Sequence, residues 1–205
     1  MAEGGDIDAE LMLQVQKGDM AAFEQLVEKY QRPVVNLLHR TLGDATEAED
    51  LAQNVFVQVF KSAPRYRVSA RFSTWLFTIA RNLCLNEIRR RTRHPAQSLD
   101  QPVEGEEGES DGSWKPAWSD PQARRPGDSI LQDELEQKIQ EVLGQLPEAQ
   151  RTALLLCRQE ELSYEEIAEI LGCSLSATKS LIHRAREVLR ARLKPYLASG
   201  QWRKK

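Results

Sequence analysis

LSYEEIAEILGCSLSATKSLIHRAREVLRARL, residues 162–193, is the stretch whose reading decides the fold. It spells a helix, a three-residue turn at Gly172, Cys173 and Ser174, and a second helix loaded with cations. A turn this short sets two helices at a steep angle, the geometry in which the second can enter a DNA major groove. Ser163 and Glu166, three apart, form a capping-box pattern that marks where the first helix begins. Ile167, Ala168, Ile170 and Leu171 give that helix an apolar stripe, and Gly172 supplies the permissive backbone at its end.

The second helix separates its faces. Leu175, Thr178, Ile182, Ala185 and Leu189 recur at spacings of three and four, the rhythm of a buried side. Ser176, Lys179, Ser180, His183, Arg184 and Glu187 keep the same rhythm on another side. Lys179 and Arg184 can reach phosphates or the acceptor edge of guanine, and the serines can bond phosphates or bases. Arg186, Arg190, Arg192 and Lys194 extend the positive field. A solvated basic helix in a bundle is the competing reading, since cations also suit a helix C-terminus. Capped helix, short turn and segregated cations together favour DNA reading.

Working outward, 205 residues suit two small domains, each with a modest core. The formal charge of −3 at first argues against a nucleic-acid binder. Its distribution reverses that impression. Asp100, Glu104, Glu106, Glu107, Glu109, Asp111, Asp120, Asp128 and Asp133 crowd one stretch, against only Lys115, Arg124 and Arg125. The flanking parts are slightly cationic. Residues 95–129 hold five of the nine prolines and read as a flexible, acidic, Pro-rich linker. Trp114 and Trp118 within it suit docking on a partner and folding back equally.

The folded parts are both all-α: a first small helical domain over 8–94, a second over 130–195, and a tail, 196–205. In the first, Leu11, Leu13 and Val15 mark a short helix stopped by Gly18-Asp19. Phe23, Leu26, Val27, Tyr30, Val34, Leu37 and Leu38 mark a longer one, with Pro33 as a candidate kink. Asp44 and Glu47 open a third helix through Lys61, and a fourth runs from Phe72 to Arg93. Leu135, Ile139, Val142, Leu143 and Leu146 begin the second domain, and Pro147 starts its next helix. Cys84, Cys157 and Cys173 match no zinc or dithiol spacing, and Cys84 and Cys157 read as buried thiols. The acidic N-terminus is not a secretion signal and no apolar run spans a bilayer, so a cytoplasmic location is expected.

Two further surfaces stand out. The loop before the fourth helix interleaves cations and an aromatic: Arg65, Tyr66, Arg67, then Ser69 and Arg71. Charge for a backbone and a flat face for bases are what single-stranded nucleic acid requires. On the helix itself Thr74, Thr78, Arg81, Asn82 and Arg89 share a polar side, where Asn82 suits a base edge. Core duty accounts better for Phe72 and Trp75. The second surface is the outer face of the third helix, Asp50, Gln53, Asn54, Val57 and Lys61. It reads equally as a solvated face or as a protein-docking face centred on Val57.

Three blocks carry a resemblance: AEDLAQNVFVQVFKS, RFSTWLFTIARNLCLNEIRRR, and LPEAQRTALLLCRQEELSYEEIAEILGCSLSATKSLIHRAREVLRARL. Together they resemble the extracytoplasmic-function, or group 4, sigma factors of the sigma-70 family of bacteria, from roughly Asp8 to Lys194. The resemblance implies that the first domain is sigma region 2 and the second sigma region 4. It implies that Asp50, Gln53, Asn54, Val57 and Lys61 lie on the helix that docks on core RNA polymerase. It assigns Arg65, Tyr66, Arg67, Ser69, Arg71, Asn82 and Arg89 to reading and opening the −10 promoter element. Ser176, Lys179, Ser180, His183 and Arg184 are assigned to the −35 element. Partners implied are core polymerase, promoter DNA and an anti-sigma factor. Val68 and Ser69, and Ala177, Thr178 and Leu181, depart from the family's usual residues. His39, His94 and His183 are scattered, so no catalytic set, metal site or cofactor is expected. The alternative is a helix-turn-helix regulator that acts without polymerase.

Overall fold

The computed structural model describes residues 6–93, 128–159 and 162–199, with side chains left out at 128–134 and 196–199. Most of the linker, including Trp114 and Trp118, and most of the tail therefore lie outside the described residues. The described residues form eight α-helices and one 3-10 turn. They are α1 (Ile7–Gln16), α2 (Met20–Leu42), α3 (Ala45–Ser62), the turn Ala63–Arg65, α4 (Phe72–Arg93), α5 (Asp128–Gln145), α6 (Glu148–Leu156), α7 (Tyr164–Leu171) and α8 (Leu175–Ser199). The all-α expectation holds.

Local chemistry sets the boundaries. Asp19 caps α2 through Ala21 and Ala22, and Asp44 caps α3 through Glu47 N. The helix ends at Gly43 and Gly172 use left-handed backbone, φ 81° and 66°, which glycine adopts without strain. Helix α2 continues through Pro33, and α8 through Pro195 rather than stopping there. In α1 the buried face is Asp8, Ala9, Met12 and Val15, while Leu11 and Leu13 are only half-buried. With 3.6 residues per turn, the two leucines fall on either flank of that buried face.

Helices α1–α4 pack on one another, and α8 collects α5, α6 and α7. One hydrophobic cluster runs through both groups, because α4 also packs on α7 and α2 on α5 and α6. Polar bonds line that seam. Arg151 donates to the carbonyl oxygens of Thr41 (2.6 Å), Gly144 (2.9 Å) and Leu146 (3.1 Å). Gln140 bonds the main chain at His39 and Arg40, and Arg81 reaches the carbonyl of Ile170 at 3.3 Å. Two small helical domains joined by a linker are the expectation; among the described residues the two groups of helices share a boundary.

The capping box at α7 is complete: Glu166 N donates to Ser163 Oγ, and Ser163 N donates to Glu166 Oε2 at 2.7 Å. Ser163→Ala should cost about 1 kcal/mol. Chemical denaturation reads this as a lowered midpoint at unchanged slope, whereas an unchanged midpoint would remove the cap from the account of α7.

Candidate nucleic-acid interface

The turn between α7 and α8 is built from the inside out. Ile167, Ile170, Ile182 and Ala185 are buried and fix the two helices together. Ser174 caps α8 by accepting from Ala177 N at 3.2 Å. Thr178 is fully buried, its hydroxyl bonded to Ser174 O and in contact with Cys173 Sγ. It is therefore a peg under the helix, and its departure from the family's usual residue changes packing rather than the outer face.

Every residue assigned to the −35 element stands exposed. Ser176, Lys179, Ser180, His183 and Arg184, with the half-buried Leu175, line one shallow open concavity of about 590 Å³. Ser180 Oγ already donates to Ser176 O at 3.0 Å, so toward DNA it offers its lone pairs. Of the flanking cations, Arg186 is turned to Cys157 Sγ at 3.2 Å and Arg190 pairs with Glu187 at 3.6 Å. Cys157 is thus half-buried beside a guanidinium instead of buried. Cys84 is buried as expected, and burial pushes its thiol up to about 12.

The loop ahead of α4 holds its cations outward and its aromatic inward. Arg65, Arg67, Ser69 and Arg71 are exposed, as are Asn82 and Arg89 on α4. Tyr66 differs from the expectation: it is 6 % exposed, with its ring 4.9 Å from Trp75 and 6.4 Å from Phe72. A ring enclosed in this way offers no face to a base. Burial, followed by the carboxylates of Asp6 and Asp8, pushes the Tyr66 phenol up to about 12. The aromatic half of the stacking pattern is an anchor, and the guanidinium groups are what the loop presents.

The polar side expected on α4 is also divided. Thr74 is buried and donates to Glu166 Oε1 at 3.4 Å, and Arg81 is half-buried against α7. Arg71 approaches the same Glu166 at 3.7 Å. Toward the C-terminus of α4, Arg91 pairs with Glu47 and Glu87 and donates to Leu42 O, and Arg90 donates to Glu87 through Nε and one terminal nitrogen. Among these basic residues Arg89 remains on the outer face.

On α3, Asp50, Gln53, Asn54, Val57 and Lys61 are all exposed on the side away from Ala52, Val55, Phe56 and Val59. Phe60 belongs with them. Helical rhythm assigns it to the core, yet it is 43 % exposed, 5.2 Å from the ring of Phe23 and beside Val57, itself 48 % exposed. A Val57–Phe60 pair three residues apart on an otherwise polar face was the available signal.

Both groups of helices match known proteins. The Sigma-70 region 2 model matches residues 26–94, and the Sigma-70 region 4 model matches 136–189. The chain is similar to the RNA polymerase sigma-H factor of Pseudomonas aeruginosa, at 38% identity over 93% of this chain and 95% of that protein. It is 38% identical to the ECF RNA polymerase sigma factor SigW of Bacillus subtilis, over 88% and 94% of the two chains. The ECF RNA polymerase sigma-E factor of Escherichia coli is 34% identical over 93% and 96%. Among solved structures, CnrH in complex with the cytosolic domain of CnrY matches with a TM-score of 0.66 at 25% identity, over 93% of this chain and 99% of that one. With both regions matched in order and relatives aligned along nearly their whole length, this chain belongs to the extracytoplasmic-function sigma factors of the sigma-70 family, non-catalytic proteins that direct promoter-specific transcription initiation through core RNA polymerase.

Proposed function

We propose that the sigma-factor work of this chain is divided among three surfaces. The outer face of α3, with Asp50, Gln53, Asn54, Val57, Lys61 and the added Phe60, docks on core polymerase. The loop with Arg65, Arg67, Ser69 and Arg71, together with Asn82 and Arg89, reads and opens the −10 element, with Tyr66 as its buried anchor. The α8 face of Ser176, Lys179, Ser180, His183 and Arg184 reads the −35 element. Residues 8–94 and 130–195 are the corresponding modules, joined by the acidic linker 95–129, with 196–205 as a tail. The observation that carries this division is the −35 face itself: five polar side chains on one exposed concavity behind a rigidly capped turn.

Polymerase supplies nonspecific affinity, and this chain adds directional contacts, in keeping with its net charge of −3. A cytoplasmic setting follows from that work, and no described helix is long and apolar enough to cross a membrane. An anti-sigma factor is the further partner, and the Val57–Phe60 face suits cover by such a protein.

Run-off transcription with core polymerase on a promoter library, with and without the protein, is the direct test. Protein-dependent initiation at paired −10 and −35 elements is expected. Tight duplex binding without polymerase would favour the regulator reading instead. Val57→Asp should weaken core binding about tenfold or more, as a charge at the centre of an apolar contact does. Fluorescence anisotropy against core polymerase measures this. An unchanged affinity would move the docking surface elsewhere.

A further inference from the structure

The geometry points to α1 as a splint that holds the −10 loop in its reading shape, with Asp6 and Gln16 as positioning residues. This inference depends on the assignment of the loop to the −10 element. Helix α1 lies before residue 26, where the region 2 match begins.

The two ends of α1 hold the two ends of the loop. At its C-terminus, Gln16 Nε2 donates to the carbonyl oxygens of Ala63 (3.1 Å), Pro64 (3.2 Å) and Tyr66 (3.3 Å). Two of these carbonyls belong to the 3-10 turn, and the third, at Tyr66, is the residue that ends it and leads into the loop. At its N-terminus, Asp6 caps two helices at once. Oδ1 accepts from Asp8 N at 3.2 Å, capping α1, and Oδ2 accepts from Phe72 N at 2.7 Å, holding the first residue of α4. A backbone N–H at the start of a helix needs such an acceptor, and a carboxylate there also suits the helix dipole.

Between those pins run only Arg67, Val68, Ser69, Ala70 and Arg71. The ten residues of α1 rise about 15 Å, and the six peptide steps from Tyr66 to Phe72 reach at most about 20 Å. The loop therefore has limited slack between its two pins, taken up in a bend at Ser69 and Ala70, where Ser69 N donates to Arg67 O at 2.9 Å. Its cations, Arg67 and Arg71, are exposed along this short span. The splint is itself fastened. Met12 and Val15 are buried, and Asp8 accepts from Tyr30 Oη and Lys29 Nζ, both at 2.6 Å. Pre-ordering matters for a segment that must capture bases, because ordering side chains during binding opposes association.

The experiment compares Gln16→Met, which removes the donors without charge, with Asp6→Asn, which removes one carboxylate acceptor. Gln16→Glu, which sets a carboxylate against three carbonyl oxygens, is the stronger form. Each is assembled with core polymerase. Hydrogen exchange at residues 67–71 is measured, and open-complex formation is followed on duplex promoter and on the same promoter with a mismatched, pre-opened −10 element. Faster exchange at 67–71 is expected, with duplex opening reduced on the order of tenfold to a hundredfold. Core binding should be unchanged and opening restored to within about threefold on the pre-opened template, because separated bases can order the loop as they dock. A general loss of structure would depress both templates equally, so equal loss overturns the proposal, as does unchanged exchange. Arg67→Ala separates this claim from the one beneath it. If Arg67→Ala impairs opening and the α1 variants do not, the splint fails alone. If Arg67→Ala leaves opening intact, the −10 assignment fails and takes the proposal's functional half with it.

Discussion

Reversing both charges on the face proposed to read the −35 element, Lys179→Glu with Arg184→Glu, should reduce transcription from promoters with a −35 element by about a hundredfold or more. Each side chain can make a phosphate or guanine contact worth roughly 1–3 kcal/mol, and reversal adds repulsion from the phosphates to the lost contact. Both residues are exposed and neither touches the packed side of α8, where Thr178, Ile182 and Ala185 lie, so the fold should be untouched. Association with core polymerase should stay within about twofold, since a rim charge far from an interface contributes little to it. Run-off transcription beside a core-binding titration separates the two. Equal loss in both would break the division of labour among the three surfaces. The dependence on salt should also flatten, because fewer counterions are released.

The second large effect is expected at Phe72. Its ring is fully buried, 5.4 Å from Tyr30, 5.8 Å from Trp75 and 6.4 Å from Tyr66. Phe72→Ala should cost about 3–5 kcal/mol, from lost burial and the cavity left behind. For a chain of this size that lowers the melting temperature by on the order of 10 °C. The site also concerns function, because Phe72 N is the group that Asp6 holds at the head of α4. Phe72→Leu, which keeps most of the volume, should recover most of the stability. Calorimetry decides, and a loss below about 1 kcal/mol for the alanine variant would show that the aromatic cluster is not what seats the loop.

What could be read from residues alone was whatever depended on neighbours three or four positions away. The α7 capping box, the left-handed Gly172, the two faces of α8 and the start of α4 at Phe72 are local events, and periodicity exposes them. The failures share another cause. Tyr66 between two arginines reads as a stacking ring, but its burial is decided by Trp75 and Phe72 folding over it. Thr74 and Arg81 keep the rhythm of a polar face, yet their partners are Glu166 and Ile170, some ninety residues further along. Gln16 is an ordinary polar residue near a helix end until Ala63, Pro64 and Tyr66 arrive, and a carbonyl oxygen leaves no mark in a sequence. Phe60 fails differently: it is core-like by spacing yet half exposed, with its ring against Phe23 of α2.

Arg151 carries an evolutionary corollary of that last kind. All three oxygens it holds across and beside the seam belong to the main chain, at Thr41, Gly144 and Leu146. Such acceptors are supplied by any amino acid, so drift at those positions leaves the fastening intact so long as the local packing survives. The guanidinium has no such latitude, because lysine cannot span three acceptors with a planar fork. In a saturation library selected for solubility, tolerance at this contact should therefore be lopsided: permissive among the receivers, narrow at the single giver.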